Sequence, residues 1–519
     1  STITLPLTSG LFAAGTGQVL NIFNTGLVNV TAGNFATGTT GGTINFFGNG
    51  AFTGKSSPYN VYASGGVNFG GVDTVTIQNG GRFRINTGGS SSINGPFYAD
   101  GSMLEYNTGF GFNVGPEWQP NADLSNKRGG PFHVNILATG TTVNFAGTSP
   151  SRTIRGDLNI SSGAGLTLST ISGGDLNIAG NWTRAATGTF TSNARMVTFN
   201  GTGANQTVTV TGGGTETSAF LTITKPDAFP TFIMAAAPNA TNITVNGNSA
   251  SGAPVTTLLL SGNIELNQNT FNFTSWNGNQ NHIRIDNLAG ASTIRNISSA
   301  GGQGVFAIYN AVANNSTVEI FRTSSAANRR TTLVFGTTVK VTVGAVAGGT
   351  GGIDFGNRTY NPPTFTVSGA ITTINGTLQI DTRGYVAVNA PTYGAASTLI
   401  YNTTGTYNRY IEWGNTQVQP GYPNHVIVQN NSILNLNNSA NPPNANRYLA
   451  GNLTISTGSS LILNNTGTFT PNILTVGGNF VLDGTITLPG TLPAFGEDLH
   501  IVGNWTRSAT GVFNPNDRA

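Results

Sequence analysis

Residues 158–168 read LNISSGAGLTL, two short runs of alternating apolar and polar residues joined by a turn of Ser, Gly and Ala. Alternation with a period of two is typical of a β-strand with one buried face. Similar runs recur along the chain, and the Gly and Asn residues between them supply the positive φ angles that tight turns need. The clearest of these runs are residues 75–78, 453–455, 461–463 and 485–488. Since no helical period of useful length is found, the sequence predicts an all-β fold.

The composition favours a folded, weakly charged chain. Of 519 residues, 72 are Gly and only 8% are charged, but 37% are hydrophobic and fall in the alternating runs, which argues against disorder. The net charge of +3 comes from 22 basic and 19 acidic residues. Nucleic acid binding requires dense clusters of Lys and Arg, and the densest group here, Arg322 with Arg329 and Arg330, is typical of a solvated loop. We therefore expect no nucleic-acid partner.

The residue types that are missing exclude several kinds of site. Cysteine is absent, which excludes disulfides, thiolate catalysis and Cys-based metal sites. The four His residues are not closely spaced, so we expect neither a metal nor another cofactor. No apolar stretch is long enough to predict a transmembrane segment. The chain starts at Ser1 without an apolar leader, and we expect a secreted, extracellular or cell-surface protein whose signal peptide has been removed.

An internal repeat links two distant parts of the chain. Residues 104–108 (LEYNT) match residues 399–403 (LIYNT), and Glu117-Trp118 recurs as Glu412-Trp413, with an offset of 295 residues (412 − 117). Residues 158–160 return as residues 453–455 with the same offset. Because Glu117, Trp118, Glu412 and Trp413 form the same pair in both copies, we interpret them as structural residues of a corner.

A second match shows that the two copies differ by an insertion. Gly180–Arg184 (GNWTR) recurs as Gly503–Arg507 with an offset of 323 residues (504 − 181), so the second copy has gained 28 residues near 466–492. A solenoid accepts one more coil of roughly 20–30 residues, because each coil packs only on its neighbours. Asn181, Trp182, Asn504 and Trp505 then occupy equivalent structural positions.

These observations predict an elongated β-solenoid, a β-helix-like rod with short strands and turns of Gly and Asn. A row of tandem β-sandwich domains is the alternative. The predicted segments are an N-terminal strand and first coils (1–69), repeat block A (70–201), divergent middle coils (202–351), and repeat block B with its extra coil (352–519).

The segment LNIAGNWT at 176–183, followed by residues 188–190 (GTF) and 197–201 (VTFNG), resembles a known type of protein. It is similar to the large repetitive β-solenoid surface proteins of Bacteroidota-type bacteria, including adhesin-like and gliding-associated proteins. Leu499 to Phe513 repeats the first half of this motif. The resemblance implies a surface protein and supplies no catalytic residues. Such proteins usually end in a sorting domain for secretion, which is not visible here.

Three candidate sites do not meet the requirements of their chemistry. Residues 48–56 resemble a P-loop, but Asn49 stands where the motif needs Gly. Residues 348–354 resemble a calcium-binding nonapeptide, but the motif occurs once and its Asp is one place late. Acidic residues are thinly spread for a β-helix polysaccharide lyase or hydrolase, which needs clustered carboxylates. The groups that could gather on one face are Asp73 with Arg82 and Arg84, and Glu105 with Glu117 and His133.

The two ends of the sequence predict how copies associate. Ala519 is equivalent to Met196, and Met196 is followed by an alternating strand whose phase the start of the chain shares. One hypothesis is that the N-terminal strand of one subunit continues the last repeat of another, a heterologous contact that produces filaments. The alternative is that position 519 is an arbitrary boundary within a longer chain. The residues assigned to this contact are Ser1, Thr2, Ile3, Thr4, Leu5 and Leu7 on one subunit, and Phe513, Asn516, Arg518 and Ala519 on the other.

The expected function is an extracellular structural protein without catalysis, a subunit of a filament, fibre or cell-surface layer whose partner is a copy of itself. The first alternative is an adhesin or fibre-type protein that binds a glycan or another surface ligand. The second is the polysaccharide lyase or hydrolase described above.

Overall fold

The structure is a computed structural model, and the chain forms two compact units. Unit 1 comprises Ser1–Lys225 with Pro230–Thr241, and unit 2 comprises Pro226–Phe229 with Asn242–Ala519. The structure describes residues 19–23, 26–30, 41–72, 74–120, 128–146, 151–193, 195–201, 206–212, 214–218, 220–224, 232–234, 241–246, 255–261, 263–266, 270–274, 281–285, 292–296, 303–310, 313, 315–322, 332–361, 364–367, 371–436, 446–463, 473–488 and 499–516.

Unit 1 is built of short strands and one turn of 3-10 helix, Pro116–Trp118. Its strands are β1 (Val19–Ile22), β2 (Gly26–Val30), β3 (Thr43–Phe46), β4 (Gly50–Gly54), β5 (Asn60–Ala63), β6 (Gly66–Asn68), β7 (Thr76–Ile77), β8 (Arg82–Asn86), β9 (Ser90–Ser91), β10 (Phe97–Tyr98), β11 (Met103–Asn107), β12 (Gly111–Asn113), β13 (His133–Ile136), β14 (Thr142–Asn144), β15 (Arg152–Ile154), β16 (Leu158–Ile160), β17 (Gly165–Thr167), β18 (Leu176–Ile178), β19 (Trp182–Ala185), β20 (Thr189–Thr191), β21 (Met196–Phe199), β22 (Gln206–Thr211), β23 (Gly214–Ser218), β24 (Phe220–Thr224) and β25 (Phe232–Met234).

Unit 2 is also built of β-strands, and all of its first strand except Thr241 belongs to this unit. Its strands are β26 (Thr241–Asn246), β27 (Val255–Ser261), β28 (Asn263–Glu265), β29 (Thr270–Thr274), β30 (Asn281–Ile285), β31 (Ser292–Arg295), β32 (Gly304–Asn310), β33 (Asn315–Arg322), β34 (Thr332–Phe335), β35 (Val339–Ala345), β36 (Thr350–Asn361), β37 (Thr364–Val367), β38 (Ile371–Ile374), β39 (Thr377–Asp381), β40 (Gly384–Val386), β41 (Thr392–Tyr393), β42 (Thr398–Asn402), β43 (Gly405–Asn408), β44 (His425–Val428), β45 (Ser432–Asn435), β46 (Arg447–Leu449), β47 (Leu453–Ile455), β48 (Ser460–Ile462), β49 (Leu474–Val476), β50 (Phe480–Leu482), β51 (Thr485–Thr487), β52 (Leu499–Ile501), β53 (Trp505–Arg507) and β54 (Val512–Asn514).

Successive coils pair their strands in parallel, which confirms the all-β solenoid. In the later part of unit 1 each coil supplies three strands to three sheets, for example β13, β14 and β15, then β16, β17 and β18. Unit 2 repeats the arrangement from β44 onward. Among the described residues, antiparallel pairing is confined to β36 with β37 and a bridge between Phe97 and Arg128. The sandwich alternative is wrong, because sandwiches are built of antiparallel strands.

The apolar residue of each strand packs on the apolar residue one coil away. Val134, Leu158 and Trp182 are directly paired in register, and all three side chains are buried. Polar residues alternate with the apolar ones, and on β11 the Asn107 side chain donates a hydrogen bond of 3.1 Å to that of Asn86 on β8, one coil earlier. The core is therefore a stack of layers, each of which is closed only by its neighbours.

Glycine is required where a turn of one coil lies against the next. Gly458 has a φ of +80°, and a Cβ at this position would lie 2.3 Å from Asn431 Oδ1. Gly163, the equivalent residue of the first copy, has a φ of +70°. Both are the turn glycines of the runs from which the fold was predicted, so the Gly content follows from the close spacing of the coils.

Each unit contains one of the two repeat blocks. The surplus residues of the second copy include β49, β50 and β51, which pair in parallel with strands of the preceding and following coils. The boundaries of the four segments remain predictions. No helix in the described part of the chain has the length and apolar character to cross a membrane.

Candidate functional site

A ladder of hydrogen bonds follows one corner of the coils in unit 1. The Asp157 N–H donates to His133 Nδ1 (2.9 Å), the Asn181 N–H donates to Asp157 Oδ1 (2.7 Å), and the Thr207 N–H donates to Asn181 Oδ1 (2.9 Å). Each side chain thus accepts the backbone N–H of the equivalent residue one coil later. Asn181, which the repeat predicts to be structural, is one rung of this ladder.

Unit 2 has the same ladder. The Asn452 N–H donates to His425 Nδ1 (3.0 Å), the Asn479 N–H donates to Asn452 Oδ1 (2.8 Å), and the Asn504 N–H donates to Asn479 Oδ1 (2.9 Å). Asn504 lies in the last coil that the structure describes, residues 499–516. Within the described residues its own Oδ1 accepts no hydrogen bond, whereas the Oδ1 of its equivalent, Asn181, accepts one from the next coil.

The two equivalent tryptophans have different surroundings. Trp182 is 1% exposed, and its ring lies edge-on to Phe190 at 4.8 Å between centroids. Trp505 keeps the same contact, with Phe513 at 5.1 Å, but is 45% exposed. The difference comes from the next coil: Val208 of β22 pairs with Trp182, whereas no strand in the described part of the chain pairs with β53 on its outer side.

The coil that covers Trp182 also brings a carboxylate. Glu216 Oε2 accepts hydrogen bonds from Trp182 Nε1 (3.1 Å) and Arg184 Nε (2.7 Å), and both charged side chains are almost completely buried. Arg507 is the equivalent of Arg184, and it is exposed. Among the described residues, neither Trp505 Nε1 nor the Arg507 guanidinium has an acceptor. Within the described residues, coil 499–516 thus repeats Trp182 and Arg184 without the carboxylate that accepts from them in unit 1.

The structure describes only two of the residues predicted for the assembly contact. Phe513 lies between Ile486, its partner in register, and the ring of Trp505. Asn516 donates from Nδ2 to the Leu488 carbonyl at 2.6 Å. The remaining assembly residues, Ser1, Thr2, Ile3, Thr4, Leu5, Leu7, Arg518 and Ala519, lie outside the described residues.

The Glu–Trp pair forms a buried corner in unit 1. Glu117 and Trp118 are fully buried at the 3-10 helix Pro116–Trp118. Glu117 Oε1 accepts hydrogen bonds from Tyr106 Oη (3.1 Å) and the Gly115 N–H (2.8 Å). Its second oxygen, Oε2, is buried and has no hydrogen-bond partner in the described part of the structure.

This corner connects the two-stranded sheet of β7 and β10 with the sheet whose first strand is β15. Tyr98 lies on β10, where one sheet ends, and its hydroxyl donates to the Glu117 carbonyl at 3.0 Å. Arg152 lies on β15, the first strand of a new sheet, and its Nε donates to the Trp118 carbonyl at 2.9 Å. Trp118 Nε1 donates to the Thr153 carbonyl at 3.2 Å. The corner therefore holds β10 and β15, strands of two different sheets, through hydrogen bonds to the same three-residue helix.

Unit 2 contains the same corner with the same partners. Tyr401 Oη donates to Glu412 Oε1 (3.1 Å), Tyr393 Oη donates to the Glu412 carbonyl (2.8 Å), and Trp413 Nε1 donates to the Tyr448 carbonyl (2.8 Å). In this copy Arg447 stands at the position of Arg152, and Arg409 is a second buried cation. Arg409 donates from Nη1 to the Trp413 carbonyl at 2.7 Å.

Burial controls the protonation of the corners. It raises the pKa of the Glu117 carboxyl, which the hydrogen bond from the Gly115 N–H opposes. Burial also raises the pKa of Glu412, which the charge of Arg409 opposes. The pKa of Tyr106 and that of Tyr401 rise well above the usual value for the same reason and because of the neighbouring carboxylate. Both Glu side chains are fully buried, and each carboxyl accepts a hydrogen bond from a Tyr on a neighbouring strand. The two carboxyls therefore hold strands together inside the protein.

The structure brings Arg82 and Arg84 together on one face, but with Glu105. Glu105 accepts from Arg84 Nε (2.7 Å) and Arg82 Nη1 (3.3 Å) on the outer face of β8 and β11. His133 lies instead beside Asp157, at 3.3 Å, and Asp73 lies outside the described residues. Within the described ranges, no group of three or more His, Asp or Glu side chains could hold a metal ion.

No protein-family model, curated protein or solved structure matches this chain. The resemblance to bacterial surface proteins therefore remains an expectation.

Proposed function

We propose that the protein is a non-catalytic structural subunit that associates head to tail with copies of itself into a filament, fibre or cell-surface layer. The observation that carries the proposal is the surface of coil 499–516. Asn504 and Trp505 there repeat Asn181 and Trp182, which hold a further coil in unit 1. A coil supplied by another copy would use the same hydrogen bonds and the same apolar contact.

Such a contact joins two different surfaces, and it extends into a polymer when the rotation between copies does not close a ring. The outer edge of β53 offers backbone hydrogen bonds to an incoming strand, and the exposed part of Trp505 supplies apolar area. The low charge of the chain leaves little repulsion between copies. The extracellular location belongs to the proposal and is supported by the composition alone.

The buried corners support a structural role. Glu117 and Glu412, whose pKa values are raised by burial, lie inside the coils and accept hydrogen bonds from Tyr hydroxyls. Because both units contain this buried Glu with its Tyr partner, we infer that the corner stabilises the fold of each unit.

Electron microscopy of the purified chain over a range of concentrations tests the proposal, with Trp505→Glu as the interrupting variant. Val418→Glu is the matched control, because Val418 is also an exposed apolar residue of unit 2. We expect regular filaments from the wild type and from Val418→Glu, and folded monomers from Trp505→Glu. A wild-type chain that stays monomeric throughout would contradict the proposed function. Filaments of normal length from Trp505→Glu would contradict the use of coil 499–516.

A further inference from the structure

Two phenylalanines form a stacked pair on the outer face of unit 1. Phe23 and Phe47 directly follow Ile22 and Phe46, which are paired in register on β1 and β3. Their rings lie 5.0 Å apart between centroids and are inclined by only 9°, and the two residues are 64% and 49% exposed. Because Phe23 comes from the preceding coil and covers one face of the Phe47 ring, the opposite face of that ring is turned toward the following coil.

The following coil places a small side chain beside this ring. Ser64 stands one coil after Phe47 and one coil before Asn86, in the same outward row. Since strands of successive coils lie about 4.8 Å apart, Phe47 and Asn86 are about 10 Å apart along the row. The residues that follow Phe47 and Ser64 are glycines, Gly48 and Gly65, which add no side chain here. The row therefore contains a slot above Ser64, with an aromatic ring at one end and a side-chain amide at the other.

Two amides beside the slot have unused hydrogen-bonding capacity. Asn86 Oδ1 accepts from Asn107 Nδ2 at 3.1 Å, which orients the amide, and Asn86 Nδ2 has no acceptor among the described residues. Asn45 stands two residues before Phe47 on the same face and donates from Nδ2 to Asn21 Oδ1 at 2.9 Å. The Oδ1 of Asn45 accepts no hydrogen bond from the described part of the chain. The slot is thus bordered by one oriented donor and one oriented acceptor.

The charged groups near the slot are bonded to one another. Arg84 lies in the adjoining row, with its guanidinium 4.8 Å from the centre of the Tyr62 ring. Its Nε donates to Glu105 Oε2 at 2.7 Å, and Arg82 Nη1 donates to Glu105 Oε1 at 3.3 Å. An uncharged ligand therefore suits this place better than an ion.

We propose that the slot formed by Phe47, Ser64 and Asn86 binds one pyranose ring of an uncharged carbohydrate chain. A pyranose with equatorial substituents presents C–H groups on both faces, and these stack on the electron-rich face of an aromatic ring. Hydroxyl groups at the rim of the sugar both donate and accept, as Asn45 Oδ1 and Asn86 Nδ2 require. An aromatic surface with a few oriented polar groups is the usual composition of a small-ligand site. This binding does not require the association of copies.

The test is isothermal titration calorimetry of the full chain with neutral β-1,4-linked hexasaccharides of glucose, xylose and mannose, and with a polyproline peptide. We expect the wild type to bind at least one of the hexasaccharides. Phe47→Ala removes the stacking face and should weaken binding about tenfold. Ser64→Phe adds aromatic area but fills the slot, and should abolish binding. Phe110→Ala is the matched control, because Phe110 is another exposed Phe of unit 1, and it should bind like the wild type.

Each outcome decides the proposal. Hexasaccharide binding that is weakened in Phe47→Ala, lost in Ser64→Phe and kept in Phe110→Ala supports it. Binding that Ser64→Phe leaves unchanged or strengthens overturns the slot, because exposed aromatic area alone would then be responsible. A wild type that binds none of the hexasaccharides overturns the carbohydrate ligand, whether or not it binds the polyproline peptide through Phe47.

Discussion

The two equivalent tryptophans allow the effect of a covering coil to be measured within one protein. Trp182→Ala and Trp505→Ala remove the same side chain from the same repeat position, and each deletes the contact with Phe190 or Phe513. The substitutions differ in what the next coil supplies: Trp182 is 1% exposed and donates from Nε1 to Glu216, whereas Trp505 is 45% exposed. The difference between their effects on the free energy of unfolding therefore measures what the next coil contributes.

The magnitude follows from the exposed area. A Trp side chain buries up to about 250 Å², so the difference in exposure corresponds to about 110 Å², or about 2.8 kcal/mol at ~25 cal/mol per Å². Complete truncation of a buried Trp costs about 3–5 kcal/mol. We expect Trp182→Ala to cost about 4 kcal/mol and Trp505→Ala about 1–2 kcal/mol.

The assay is urea unfolding followed by circular dichroism at a concentration low enough to keep the chain monomeric. At higher concentration the same area is buried by the incoming copy, so Trp505→Ala should weaken association about 100-fold. Val418→Ala, which trims an exposed apolar side chain of the same unit, should leave association unchanged. Equal costs of unfolding for Trp182→Ala and Trp505→Ala in dilute monomer would refute the reasoning, because Trp505 would then already be covered.

The other predictions concern the corners, the ladder and the buried ion pair. Because the folded chain raises the pKa of Glu117 and Glu412, their stabilising contribution is complete in acid below the usual carboxyl pKa and is lost as pH rises through the raised value. Glu→Gln at both positions should flatten that fall in urea titrations from acid to neutral pH, and an unchanged pH profile would contradict it. Asn479→Leu removes the acceptor of the Asn504 N–H and should cost about 1 kcal/mol in thermal unfolding; no measurable loss would show that the ladder does not stabilise the coils. Glu216→Gln removes the carboxylate that pairs with buried Arg184 and should lower the free energy of unfolding by about 3–5 kcal/mol. A decrease below about 1 kcal/mol would contradict this prediction.

The fold class follows from the sequence because its determinants are local and repeated. The alternation in residues 158–168 specifies which side chains face inward, and the offsets of the two copies show that a whole coil can be inserted. A closed core would give neither signal. Glu117, Trp118, Glu412 and Trp413, which the repeat pairs in the two copies, are all buried.

The partners of the corner were missed because they come from other strands. Tyr98 and Arg152 are 19 and 34 residues from the groups that they contact. A signal was nonetheless available, since Tyr393 and Arg447 stand in the second copy at the same offset of 295 residues as Glu412 (412 − 117). The difference in exposure between Trp182 and Trp505 was also missed. The repeat shows that they occupy the same position within a coil, but it does not show whether another coil packs on that position.

Hydrogen exchange of the backbone amides of coil 499–516 tests most directly the proposal that another copy completes this coil. Exchange is measured on the wild type at increasing concentration, with peptides that cover residues 499–516 and, as an internal reference, residues 176–199. We predict protection that grows with concentration in the first segment and is high and constant in the second, where the next coil is already present. Exchange of residues 499–516 that stays the same at every concentration would contradict the account.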